Sequence, residues 1–119
     1  MSMKFYWYPN CGTCKKAKKW LEEKNVDFTP IHIVEDTPSK EEILQIIEKS
    51  GLPAKKFFNT SGKKYRELNM KEKIKDASTE EMAEFLASDG MLIKRPIAVD
   101  GETVTVGFKE DLYEEHWQN

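Results

Sequence analysis

Residues 3–8 are almost continuously apolar and aromatic, and Pro9-Asn10 breaks the run. Phe, Tyr and Trp fit a pleated surface, so the stretch predicts a β-strand covered on both faces. The period then changes. Cys14, Ala17, Trp20 and Leu21 return at helical spacing while lysines and glutamates fill the other face, which predicts a helix ending near Asn25. Residues 26–34 carry Phe28, Ile31 and Ile33 and predict a second strand, with Pro30 pointing to an edge position or an irregular entry. Strand, helix and strand so close together form a βαβ unit.

Ser39-Lys40-Glu41-Glu42 has the form of a capping box before Ile43, Leu44, Ile46 and Ile47, and predicts a helix to about Ser50. Gly51 stops it, and Pro53 can start a short helical turn. Residues 57–69 are the least regular: a structured loop over 57–62, then a short helix or extended link. A second capping box, Ser78-Thr79-Glu80-Glu81, precedes Met82, Phe85 and Leu86, with closure near Asp89-Gly90. Met91-Leu92-Ile93-Lys94-Arg95-Pro96 leads into residues 97–106, where two short β-prone runs flank Asp100-Gly101 and signal a hairpin. A last amphipathic helix, from Lys109 to about Trp117, is expected to bury Leu112, Tyr113 and Trp117. The order is β-α-β, a central helical block, then β-β-α, which assembles into a mixed sheet flanked by helices in an α/β fold. A chain of 119 residues makes one domain, here 1–119 with a helical insertion at about 39–90.

Chemistry concentrates at Cys11-Gly12-Thr13-Cys14. Cys11 falls where a helix N-cap is expected, and the free amides and dipole of a helix start favour an anion there. Such surroundings lower a thiol pKa, and Lys15, Lys16, Lys18 and Lys19 follow in the next turns. Cys14, one turn on, is placed to attack a mixed disulfide formed at Cys11, and Gly12 and Thr13 keep the intervening loop small. Three readings fit the pair: redox chemistry, inert core thiols, or half of a metal site. A zinc site normally takes four ligands, and the chain has no second cysteine pair, only the distant His32 and His116.

Composition narrows the field. Hydrophobic residues make up 39% and charged residues 34%, and the net charge is −2, so no global field holds a nucleic acid. No apolar run is long enough for a membrane span, and no secretory signal pattern opens the chain. Two cysteines without such a signal imply the cytoplasm, where a disulfide is transient rather than structural. The tract Lys55, Lys56, Lys63, Lys64, Arg66, Lys71, Lys73, Lys75 reads first as a solvated face and second as a surface for an acidic partner. His32 and His116 receive no role.

Taken together, Cys11-Gly12-Thr13-Cys14-Lys15-Lys16-Ala17, Asn59-Thr60-Ser61-Gly62 with Tyr65 and Leu68, Lys94-Arg95-Pro96-Ile97, and Val106-Gly107-Phe108 resemble the arsenate reductase (ArsC)/Spx/MgsR family over nearly the whole chain. The resemblance implies a thioredoxin-like fold with an ArsC/Spx-type helical insertion. It implies Cys11 as nucleophile and Cys14 as resolving cysteine of a thiol–disulfide oxidoreductase. Arg95, with Gly12 and Thr13, would stabilise a thiolate or oxyanion, and Pro96 would be the cis-proline that shapes the groove. Thioredoxin or glutathione would be the reductant of a monomeric chain, with no cofactor, metal, nucleic acid or membrane. The family's other outcome is a redox-sensing transcriptional regulator that grips the α subunit of RNA polymerase. Gly51 lies near that contact loop, although a helix C-cap explains it more simply. Arsenate reductases of the family clamp their oxyanion with further arginines, and this chain offers only Arg95 in the matching places. Arsenate reduction is therefore the least expected activity.

Overall fold

The computed structural model describes residues 3–118; residues 1, 2 and 119, the ends of the expected 1–119 domain, lie outside the described residues. The central strand is β1 (Met3–Trp7), followed by α1 (Gly12–Glu23) and β2 (Phe28–His32). The intervening block holds α2 (Lys40–Ser50), α3 (Lys63–Glu67), α4 (Met70–Lys73) and α5 (Thr79–Ser88), with 3₁₀ turns at Ala54–Phe57 and Gly90–Leu92. β3 (Ile97–Asp100), β4 (Thr103–Val106) and α6 (Glu110–Trp117) complete the chain. The sheet runs β2-β1-β3-β4; β1 pairs parallel with β2 and antiparallel with β3. This is the α/β, thioredoxin-like arrangement expected from the sequence.

Alternation along β1 explains why both its faces are covered. Met3 and Phe5 point to one side, where α1 and α6 supply Ala17, Trp20, Leu21, Tyr113 and Trp117. Tyr6 points to the other side and joins the larger cluster, with Ile43 and Ile47 of α2 and Leu86 of α5. Each fully buried large side chain contributes roughly 1.5–3 kcal/mol, so both layers add substantially to stability. The buried Trp117 Nε1 donates to Thr105 Oγ1 at 3.0 Å and fastens α6 to β4. Pro30 does sit on an edge strand, where its missing N–H costs no ladder bond. Among the described residues no helix is long and apolar enough to cross a membrane.

Local expectations are met in part. The second capping box forms completely, with Ser78 Oγ accepting from Glu81 N at 3.1 Å and Glu81 Oε1 accepting from Ser78 N at 2.9 Å. The first forms only by half. Ser39 caps Glu42 N, but the Glu42 carboxylate turns to the Tyr6 hydroxyl instead of back to the cap. The second strand ends at His32 rather than 34, because His32 Nδ1 accepts from the amides of Val34 and Glu35 and bends the chain. Residues 91–96 form no strand. Asp89 Oδ1 caps Met91 N at 2.9 Å to start a 3₁₀ turn, and only Ile93 bridges, to Phe58. That bridge also pins the irregular 57–59 segment, through Lys94 N to Phe57 O at 2.7 Å and Asn59 N to Leu92 O at 2.8 Å. The hairpin is as expected, with Gly101 at φ +60° as the first of its two loop residues. Leu112 is only half-buried, while Tyr113 and Trp117 enter the core.

Candidate active-site cleft

Cys11 caps α1 with extended backbone (φ −93°, ψ 117°), and its Sγ accepts from the Cys14 amide at 3.3 Å. The cap follows from the sequence: Pro9-Asn10 end the strand, and the Cys11 amide turns back to Tyr8 O at 2.9 Å. Cys11 is half-buried and Cys14 fully buried behind it on the core face of α1, and both are free thiols. The cysteines are therefore unlike: only Cys11 can meet a ligand.

Their acidities diverge for the same reason. Burial works against ionisation of Cys11, but hydrogen bonds from the Cys14 thiol and amide, followed by the charge and hydrogen bond of Arg95, outweigh it and hold Cys11 below the usual thiol range. Cys14 is pushed up to about 12, first by burial and then by sharing its proton with Cys11. The two thiols titrate as a coupled pair, and the exposed member is the more acidic. The α1 lysines contribute nothing to this shift. Lys15, Lys16 and Lys19 face solvent, while Lys18 pairs with Glu22 at 3.2 Å and lies over the Trp7 ring.

Arg95 reaches the thiol from the segment just before β3. Its Nη1 donates to the carbonyls of Met91 and Ile93, both at 3.3 Å, and its guanidinium lies 5.1 Å from the Tyr8 ring centroid. Tyr8 in turn meets His32 edge-on at 5.6 Å. His32 is thus a turn-former and a support for Tyr8, and His116 is exposed. The Arg95–Pro96 peptide bond is cis, and Pro96 O accepts from Gly107 N at 2.8 Å, joining the bend to the end of β4. Arg95→Ala is expected to move the pH profile of Cys11 alkylation to higher pH, since a cation that favours the thiolate is lost. Iodoacetamide kinetics against pH in a Cys14→Ser background check this. An unmoved profile would separate Arg95 from the thiol.

Cys11, Thr13 and Arg95 line one cleft of ≈ 840 Å³, together with the 59–62 loop, Lys94 and the 106–109 segment. Gly12 lies outside that lining on the exposed first turn, and a Cβ there would meet nothing within 4 Å. The 59–62 loop closes on itself: a Cβ at Gly62 would come 2.6 Å from Asn59 Nδ2 and 3.1 Å from Asn59 O, so the Asn59 side chain would have to turn aside. Sequence reasoning missed Lys94 and the half-buried Leu112 as parts of the cleft, and Tyr8 as the support of Arg95. Tyr8 meets Arg95 across more than eighty positions, and no local pattern signals such a contact. Among the described residues no group of three or more His, Cys, Asp or Glu side chains could hold a metal ion. The basic tract is exposed, with Lys63 paired to Glu67 and Lys64 to Asp89, both at 3.8 Å. Gly51 adopts the left-handed C-cap of α2 at φ +69°.

Comparison with known proteins bears on the family and the fold. The chain is 67% identical over 117 residues to the uncharacterized protein YusI of Bacillus subtilis (strain 168), covering 98% of this chain and 99% of that one. It is 32% identical over 106 residues to the global transcriptional regulator Spx of Lactiplantibacillus plantarum, covering 89% of this chain and 79% of that one. A crystal structure of an ArsC family related protein from Bacteroides fragilis superposes with a TM-score of 0.91 at 48% identity, covering 97% of this chain and 98% of that one. The ArsC family profile matches residues 6–116, and the chain belongs to the ArsC family.

Proposed function

We propose that the chain is a thiol–disulfide oxidoreductase with Cys11 as nucleophile and Cys14 as resolving thiol. The observation that carries this reading is the asymmetry of the pair: an accessible, acidified sulfur at a helix cap, hydrogen-bonded to a buried thiol that retains its proton. The Cys11 thiolate attacks one sulfur of a disulfide R–S–S–R; the S–S bond breaks, RS⁻ leaves, and a Cys11–R mixed disulfide forms. Cys14 then gives up its proton, which neutralises the leaving thiolate, and attacks the Cys11 sulfur. The second R group departs as thiol, and the Cys11–Cys14 disulfide has delivered two electrons to the substrate. A thiol reductant such as thioredoxin or glutathione returns them in the reverse exchange. Thr13 lines the cleft, the cis Pro96 sets the bend that carries Arg95, Arg95 holds the anion, and the reaction takes place in the reducing cytoplasm. The test is turnover of a small disulfide by the wild type against Cys11→Ser.

The similarity to Spx supports a second reading, in which the same disulfide switches a regulator that binds the RNA polymerase α subunit. A stable complex with that subunit, changed by oxidation and accompanied by no turnover, would favour it.

A further inference from the structure

We propose that the cleft selects disulfides carrying a carboxylate and that Lys94 is the residue that reads it, an inference that rests on the thiol–disulfide reading above. The cleft's charge differs from the chain's. The protein as a whole carries −2, yet Lys94, Arg95 and Lys109 line the space beside Cys11 and, among the described residues, no carboxylate does. Glu110 and Asp111, in the first turn of α6, stay outside that lining.

The cations are not equivalent. Arg95 is occupied by two backbone carbonyls, the Tyr8 face and the Cys11 sulfur. Lys94 has no ion-pair partner among the described residues and is exposed. Its position is nevertheless built. The Lys94 amide is tied to Phe57 O at 2.7 Å, and its side chain lies across Gly107, where a Cβ would come 3.3 Å from Cε and 4.0 Å from Nζ. Gly107 is buried beneath it at φ +81°. Bare backbone there serves two purposes: it allows the left-handed turn and gives the lysine stem a surface to rest on. The ammonium is thus held at the cleft wall as a point charge without a protein anion to satisfy it.

The remaining surface fits a small organic disulfide. Phe58, Val106, Phe108 and Leu112 supply apolar wall for the carbon chain, and Thr60 and Ser61 lie on the polar side. The cleft's ≈ 840 Å³ falls within the range of about 300–1,000 Å³ usual for small-ligand sites. A carboxylate a few bonds from the sulfur would meet Lys94 while the sulfur meets Cys11. The exchange itself is the one written above, with the carboxylate-bearing disulfide as oxidant and two molecules of its thiol as product.

The test is single-turnover oxidation of the pre-reduced full chain, followed by mass spectrometry. The probes are 3,3′-dithiodipropionate, 2-hydroxyethyl disulfide and cystamine, each rate normalised to that probe's rate with a small free thiol. The wild type is expected to prefer the dianion over the neutral probe and the neutral probe over the dication, with the spread narrowing as salt is raised. Lys94→Gln is expected to lower the dianion-to-neutral ratio about fivefold, the scale of one exposed charge pair, and Lys94→Arg to keep it. Equal normalised rates for the three probes, or an unchanged ratio in Lys94→Gln, would overturn the proposal while leaving the exchange chemistry standing. Oxidation by a protein disulfide such as oxidised thioredoxin, with none of the small probes reacting, would overturn it likewise. If no disulfide of either kind oxidises the pair, the thiol–disulfide reading itself fails.

Discussion

Cys11→Ser is expected to reduce disulfide turnover to background, a loss on the order of 10³-fold or more. A serine at the cap keeps the hydrogen bond from the Cys14 amide, but its hydroxyl does not ionise near neutral pH and cannot form the mixed disulfide. Cys14 cannot take over, since it is fully buried and that burial, the largest cause of its raised pKa, still disfavours its thiolate in the variant. Cys14→Ser should behave differently. Its first step remains possible, so a mixed disulfide accumulates on Cys11 and appears as an added mass of one substrate half. Multiple-turnover assays with 2-hydroxyethyl disulfide, with intact mass on the stalled variant, check both. Undiminished turnover in Cys11→Ser, or an adduct formed through Cys14 in that variant, would reverse the assignment.

Gly90→Ala is expected to be the most destabilising small substitution in the scaffold. A Cβ at this position would lie 2.1 Å from Ile33 O, 2.8 Å from Ile33 C and 2.9 Å from Val34 Cα, and all three are backbone atoms that cannot swing aside. Ile33 itself is completely buried, so relief requires moving the chain after β2 or the turn after α5. Overpacking of this kind costs about 3 kcal/mol, equivalent to a melting temperature lower by roughly 10 °C for a chain of this size. Gly12→Ala is the matching control: nothing lies within 4 Å of its new Cβ, and its stability should stay within about 0.5 kcal/mol of the parent. Thermal unfolding of the two variants decides the point. Equal melting temperatures would show that the Gly90 approach is not a packing constraint.

The elements that could be read from the chain are those coded locally. The aromatic run of β1, the helical period of α1, the Ser78 capping box and the Asp100-Gly101 turn each carry their instruction within a few residues, and each appears where expected. The 91–96 run carries no such local instruction, because its apolar residues serve a 3₁₀ turn and a single bridge to Phe58, a pairing fixed from more than thirty residues away. Glu42 misled because a tertiary partner, Tyr6, outbid the cap. The same division holds in the cleft. The Cys11 cap and its hydrogen bond from Cys14 are local, so sequence reasoning reached them. The support of Arg95 by Tyr8, and of Lys94 by Gly107, crosses elements and could not be found from spacing. The α1 lysines show the converse: proximity in sequence placed them near the thiol, but helix geometry turned them to solvent.

The central claim is that Cys11 and Cys14 form a reversible redox pair, and equilibration in glutathione redox buffers with mass spectrometric readout of the alkylated protein tests it most directly. The account predicts one intramolecular disulfide, in equilibrium with the dithiol, at a potential between roughly −300 and −180 mV. A protein that stays a dithiol at every buffer ratio, or collects only glutathione adducts that Cys14 never resolves, would contradict it.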